Sequence, residues 1–363
     1  MRFHRLAFLF FVLLIAASTE AATNVVVDGA VVDMDRWMYP FNATPGTRPS
    51  ASVFGTTGEE SGVDSRHAQF LVGWNTSNSV PTGRGTASYV VKRATLTLAI
   101  NRDMAWVYDG TQDAFQTYLS TNDSRLQADT DPGRPLELFG AGFRNGYTAA
   151  TFPEDGPFTV GGGSLVGTRS AYAAGFDTNG VLVDVSNNVG KADADAFEVT
   201  PFAVGVVEGM AAGDLVSTGA RVEFEINVGN PEIAGYLRAA LNEGVLRLMV
   251  TSMAEASFSG PATFPQFYTR DNVLATDADK PLLHLDVELT DTLPLALSAV
   301  RESAGVVLRF ENYGGGTVAL EHSDNLAQWT EQTLTPTAGA VPGTASWTPP
   351  VDSDARFFRL KTP

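Results

Sequence analysis

Residues 221–250 read RVEFEINVGNPEIAGYLRAALNEGVLRLMV, and the spacing of their apolar residues changes twice. In RVEFEINV, Val222, Phe224, Ile226 and Val228 recur at every second position with Glu223 and Glu225 between them, the pattern of a half-buried strand. From Asn230 the period lengthens, and Ile233, Leu237, Ala240 and Leu241 form one helical stripe. Asn230 is placed to cap this helix and Pro231 suits its first position. Glu232 lies near the positive helix end, and Gly244 is placed as a stop. VLRLMV then returns to alternation through Leu246, Leu248 and Val250. The spacing predicts a single helix of about three turns between two strands, closing one open end of a β-sandwich.

Outward from this stretch, alternation dominates. Ala68, Phe70, Val72 and Trp74 share one face of HAQFLVGW. Ala94, Leu96, Leu98 and Ile100 share one face of ATLTLAI, with Thr95 and Thr97 opposite. Leu283, Leu285, Val287 and Leu289 share one face of LLHLDVEL. Strands of this kind separated by Gly, Pro, Asn and Asp predict an all-β chain built on a large jelly-roll-like antiparallel sandwich over residues 24–292. Residues 103–217 alternate weakly and are expected to form long loops and short strands, with a second short helix near DAFQTYL. A second unit is expected at 297–363, where ALSAV, VVLRF, TVALEHS, QWTEQTL, TASW and RFFRL give six short strands of a small immunoglobulin- or fibronectin-like sandwich. Phe358 and Leu360 are expected in its core with Trp329 and Trp347, and Phe357 on the other side.

Residues 1–21 combine Arg2 and Arg5, the apolar run LAFLFFVLLIAA and small residues after it, the pattern of a secretory signal peptide. The run is short for a bilayer span, so no transmembrane anchor is expected in the mature chain. The expectation is a secreted, extracellular or cell-surface protein. With no cysteine, it has neither disulfides nor thiolate metal sites, and its stability must come from burial. The net charge of −17 argues against nucleic acid as a partner. That charge is concentrated in residues 103–220, which hold 16 acids against 5 bases.

The stretch DSRHAQFLVGWNTSNSVPTGRGTASYVVKRATLTLAI resembles the core signature of DNRLRE-type jelly-roll domains of secreted bacterial proteins, some of which are carbohydrate-binding modules. Arg66, Phe70, Pro81, Gly83, Ala94, Leu96 and Leu98 match it. Gly73 and Trp74 stand where that family favours Phe-Asp, and its early Asn-x-Gly element is missing. YLRAALNEGVLRLMV and PLLHLDVEL resemble the closing half of such a domain. LEHSDNLAQW with the final RFFRL resembles terminal modules of exported planctomycete and verrucomicrobial proteins. These resemblances imply a jelly roll and point to polysaccharide or a cell-envelope component as partner.

In DMDRWMYPFN, Trp37, Tyr39 and Phe41 alternate beside Arg36. They form either a platform on which the C–H faces of sugars stack or a group of core rings. Arg66 and Gln69 are candidates to reach a carboxylated sugar from the concave sheet face, and Arg144 and Tyr147 in GFRNGY are further candidates. A polysaccharide-degrading enzyme is the alternative, with Arg66, His67, Arg144 and Tyr147 as its residues. No zinc spacing, serine-nucleophile elbow or phosphate loop is found in the sequence. No cofactor is required by any motif. Calcium is the one candidate ion, with oxygen ligands from Asp177 and Asn179 or from Asp193 and Asp195, and further acidic pairs at Asp129/Asp131 and Asp277/Asp279. Each pair alone is more often a solvated turn than a ligand set.

Overall fold

The computed structural model describes residues 23–56, 62–161, 166–190, 196–256, 263–290, 296–302, 305–312, 318–323, 328–334, 343–347 and 357–361. Residues 1–21, expected to be a signal peptide, and Asp193 and Asp195 therefore lie outside the described residues. The first part of the chain forms strands β1 (Thr23–Val31), β2 (Met34–Met38), β3 (Ser50–Ser52), β4 (Gln69–Asn75), β5 (Tyr89–Ala99) and β6 (Leu136–Phe143). Next come β7 (Ala171–Phe176), β8 (Leu182–Asp184), β9 (Ala203–Val204), β10 (Arg221–Glu225), helix α1 (Pro231–Glu243), β11 (Val245–Ser252), β12 (Gln266–Tyr268) and β13 (Leu282–Leu289).

One sheet runs β1-β13-β5-β10 and the other β2-β4-β11-β6-β7-β8, all pairs antiparallel. If β1, β4, β5, β6, β7, β10, β11 and β13 are numbered one to eight along the chain, the sheets are ordered 1-8-3-6 and 2-7-4-5. That is the jelly-roll order expected from the sequence. β2 and β8 extend the second sheet at its two edges.

Register explains why the alternating residues meet. Leu96 of β5 pairs with Phe224 on one side and Leu283 on the other, and Leu98 pairs with Val222. On the facing sheet, Phe70 pairs with Val250 and Val72 with Leu248. All nine residues are buried in one core with Trp74, Leu246 and Leu285. Helix α1 adds Ile233, Leu237, Ala240 and Leu241 to this core. The side chain of Asn230 accepts hydrogen bonds from the Glu232 and Ile233 amides, and Gly244 ends the helix in the left-handed conformation at φ 81°.

The second sheet differs from a half-exposed strand pattern. Its outer face is also buried, in a separate cluster that includes Met34, Met38, Leu71, Phe139, Ala173, Val185 and Met249. The weakly alternating segment supplies this cover through Phe152, Val185 and Val199, which pack on Ala171 and Ala173 of β7 and their neighbours in the sheet. Its long loops are therefore a lid over the sheet. The expected helix near DAFQTYL is a 3-10 turn, Phe115–Tyr118.

The C-terminal part forms β14 (Ala296–Glu302), β15 (Gly305–Asn312), β16 (Val318–Ser323), β17 (Thr330–Leu334), β18 (Gly343–Trp347) and β19 (Phe357–Lys361). These pair as β14-β15-β18 and β17-β16-β19, all antiparallel. The chain end is thus a paired strand, with Leu360 opposite the buried Leu320 and Phe358 opposite His322. Phe357 is 37% exposed and Trp329 half-buried. The side chains of Phe358, Leu360 and Trp347 lie outside the described residues.

Candidate functional site

β2 is an edge strand, and the chain leaving it carries the aromatic cluster. The rings of Trp37 and Tyr39 stack with centroids 4.5 Å apart and planes inclined by 21°. Tyr39 meets Phe41 edge-on at 5.4 Å. Trp37 is fixed from below, its Nε1 donating to Ser52 O at 2.6 Å, and the exposed Arg48 places its guanidinium 5.0 Å from the Trp37 ring centre. Exposure rises outward: Trp37 and Tyr39 are half-buried, whereas Phe41 is 73% exposed. The loop after β12 joins the same segment, with Asn272 Nδ2 donating to Pro49 O at 2.8 Å, and it carries the exposed Val273 and Leu274. An exposed ring braced edge-on by Tyr39 can stack on an apolar sugar face, and the Arg48 cation over the other end of the aromatic row can bind a polar or anionic substituent.

Arg36, expected beside this cluster, alternates to the other side of β2. It is buried, donates from Nη1 to Glu154 O at 2.7 Å and lies 5.5 Å from the centre of the Phe152 ring. Burial lowers its pKa to about 10, against the opposing pull of Asp155 and Glu154. Tyr147 also meets Phe152, edge-on at 5.2 Å, so Arg36 and Tyr147 converge on one buried ring. Arg144 is drawn elsewhere. It pairs with Asp184 at 2.6 Å, bonds Gly167 O and covers the Tyr172 ring at 4.1 Å.

Arg66 and Gln69 lie beneath the lid. Arg66 is 2% exposed and makes a bidentate pair with Glu137, Nε to Oε2 at 2.8 Å and Nη2 to Oε1 at 2.9 Å. Its Nη1 donates to Val185 O at 2.9 Å and to Asn188 Oδ1. Gln69 is fully buried, donating to Arg66 O and Ser186 Oγ and accepting from the Ala173 amide. Gln69 and Leu71 point away from the central core because they alternate with Phe70 and Val72. The inserted segment then covers them, so neither Arg66 nor Gln69 is at the surface. A parallel pair, Arg169 with Asp64 at 2.8 Å, fixes the same loop, with Arg169 Nη2 also donating to His67 O at 3.0 Å.

His67 joins the two regions. It is buried edge-on to Tyr39 at 5.3 Å and tilted against Phe54 at 5.9 Å, and its Nδ1 has no hydrogen-bond partner. Burial, aided by the charge of Arg169, lowers its pKa to about 4. The four residues of the enzyme alternative are thus tied to separate partners.

Two acidic groups bring three carboxylates within 4.8 Å of one another. In the first, Asp35, Glu154 and Asp271, an arginine is interleaved: the Arg270 amide donates to Asp35 Oδ2 at 2.6 Å, and its guanidinium pairs with Glu154. Burial pushes the Asp35 carboxyl up to about 7, helped by Glu154 and Asp271 and opposed by Arg270. The second comprises Asp109, Asp113 and Asp131. Asp177 and Asp279, from two of the other acidic pairs, serve turns. Asp177 Oδ1 accepts from the Asn179 and Val181 amides at 2.8 and 2.9 Å, and Asp279 closes a capping box with Thr276. Sequence reading had paired Asp129 with Asp131 but missed Asp109 and Asp113, which lie about 20 residues away and carry no spacing signal.

No protein-family model, curated protein or solved structure matches this chain. Among the described residues, no helix is long and apolar enough to cross a membrane.

Proposed function

We propose that this is a non-catalytic secreted or cell-surface protein whose large β-sandwich binds polysaccharide or a polysaccharide component of the cell envelope. The observation that carries this reading is the exposed Phe41 ring set edge-on to Tyr39, which stacks in turn on Trp37 beneath Arg48. A solvent-facing aromatic of this kind has a cost in water that a stacking ligand removes. The resemblance of the Asp64–Ile100 stretch to DNRLRE-type jelly-roll domains, some of which are carbohydrate-binding modules, supports the same class of ligand. The signal-like first 21 residues support export, and the net charge of −17 weighs against nucleic acid.

Polysaccharide degradation is the weaker reading. Arg66 is committed to Glu137, and His67 is buried among rings, so neither is placed to meet a sugar. The C-terminal strands, in this proposal, form an attachment module. The test is retention of the purified exported chain on a panel of neutral, uronate-rich and sulfated polysaccharides. Saturable retention by one polymer class, with no release of reducing ends or unsaturated products, is expected. Indifference to the whole panel removes the proposal.

A further inference from the structure

The second acidic group differs from an ordinary solvated turn in how deeply and how tightly it is built. Asp109 is fully buried and Asp113 nearly so, while Asp131 is half-buried. Asp109 Oδ1 accepts from the Thr111 amide and hydroxyl, each at 2.8 Å, and Thr111 Oγ1 also reaches Asp131 Oδ2 at 3.2 Å. Asp109 Oδ2 is buried without any hydrogen-bond partner. A carboxylate oxygen in that condition is expensive unless a cation meets it.

The loop Asp129–Arg134 is brought against Asp109 by a glycine. Gly133 has φ 108°, and a Cβ there would lie 2.7 Å from Tyr108 O and 3.0 Å from Asp109 Cβ. Only glycine permits this approach without displacing backbone. The approach carries Asp129 and Asp131 to Asp109 and Asp113. Against these four acids stands Arg134, which donates to Asp113 Oδ2 at 2.8 Å and to Asp129, and covers the Tyr118 ring. Tyr118 donates to the same Asp113 oxygen at 2.8 Å. The nearby Glu137 brings no surplus charge because Arg66 neutralises it. Asp109 and Asp131 are therefore left with no basic partner among the described residues. Burial raises both the Asp109 and Asp113 carboxyls, Asp113 to about 6, with neighbouring aspartates adding to the rise.

We infer that Asp109, Asp113 and Asp131 form a divalent-cation site selective for calcium, with the free Asp109 Oδ2 as its innermost ligand. The donors are all hard oxygens, Asp109 and Asp113 on one segment and Asp131 on another, with no imidazole or thiolate, which disfavours zinc. Calcium–oxygen distances of about 2.3–2.6 Å place opposite ligands roughly 4.8 Å apart, and calcium accepts irregular geometry that magnesium resists. The ion would tie the Asp129–Arg134 loop to the Tyr108–Asp113 segment. This site is independent of the polysaccharide proposal.

The test uses the full exported chain stripped with EDTA, then titrated with CaCl2 or MgCl2 and followed by thermal melting and calorimetric titration. Expected is one calcium per chain at this site, a melting temperature raised by several degrees in calcium, and a much smaller shift in magnesium. Asp131→Asn and Asp109→Asn should each lose most of the calcium shift, while Asp177→Asn and Asp35→Asn keep it. In EDTA, Asp109→Asn should melt at or above the wild type, because it removes a buried unpaired charge. This also guards against a variant that merely fails to fold. Absence of any calcium shift in the wild type overturns the inference. So does a shift that survives Asp109→Asn and Asp131→Asn, or one that disappears in Asp35→Asn instead.

Discussion

Replacing Arg66 by methionine separates a buried structural role from a ligand-facing one. The guanidinium supplies both hydrogen bonds of the Glu137 pair, a bond to Val185 O and one to Asn188, all beneath the lid. Methionine can fill the space over Phe139, which Arg66 now covers at 5.1 Å, but it leaves the Glu137 carboxylate with only the Thr251 hydroxyl at 3.4 Å. Stranding a buried charge costs about 3–5 kcal/mol, and the lost bonds to Val185 and Asn188 add about 1 kcal/mol or more. The sum is roughly 4–6 kcal/mol, a large part of the 5–15 kcal/mol typical of a domain. Adding Glu137→Leu removes the stranded charge, and the double variant should return to within about 2 kcal/mol of wild type. The assay is urea unfolding at pH 7, read by tryptophan fluorescence. A single variant that loses under 1 kcal/mol, or a double variant no better than the single, would mean that Arg66 is not locked to Glu137 and is available to a ligand.

Other outcomes follow from particular groups. His67 is held neutral with its pKa near 4 against about 6.5 unfolded, so between these values the unfolded chain binds the extra proton and stability falls as pH drops, by about 3 kcal/mol in total. Asp35, raised to about 7, acts oppositely: the folded state holds the proton, and stability falls as pH rises from about 4 to 7. In urea titrations over pH 4–6.5, Asp35→Asn should therefore steepen the loss of stability on acidification and His67→Leu should reverse it. Identical slopes in both variants and the wild type would contradict these burial-driven shifts. Asn230→Ala removes the acceptor for two amides at the start of α1 and should cost about 1 kcal/mol in the same assay; no change would mean the cap is idle. Gly133→Ala should lower the melting temperature by forcing the Asp129–Arg134 loop away from Tyr108; a neutral result would show that the close approach is not required.

Strand faces and the helix were legible because local pattern and global burial agree there. Leu96, Phe224 and Leu283 alternate in sequence and meet in register, and Asn230 and Gly244 bound α1 by mechanisms carried in single residues. The outer face of the second sheet was not legible. Gln69 and Leu71 look like a solvent-side pair until a segment 100 residues later covers them, and sequence alternation carries no record of that cover. The same distance hid the true partners of Arg66 and Arg169. Candidate surface residues fared unevenly for the same reason. Trp37 and Tyr39 do stack, but Arg36 turns inward because adjacent residues on a strand face opposite ways. Arg48 and Asp109 had no nearby motif to mark them, since each gains its meaning from a contact made across a loop.

The most direct measurement is the affinity of the full chain for a panel of neutral, uronate-rich and sulfated polysaccharides, compared between wild type and Phe41→Ala, with melting temperatures recorded for both. Stacking a sugar on the exposed part of this ring is worth about 1–2 kcal/mol, so the expected result is a roughly 5- to 30-fold weakening with an unchanged melt. Equal affinity in the two proteins, or no measurable affinity in the wild type, would contradict the assignment of the Trp37–Tyr39–Phe41 face as the binding surface.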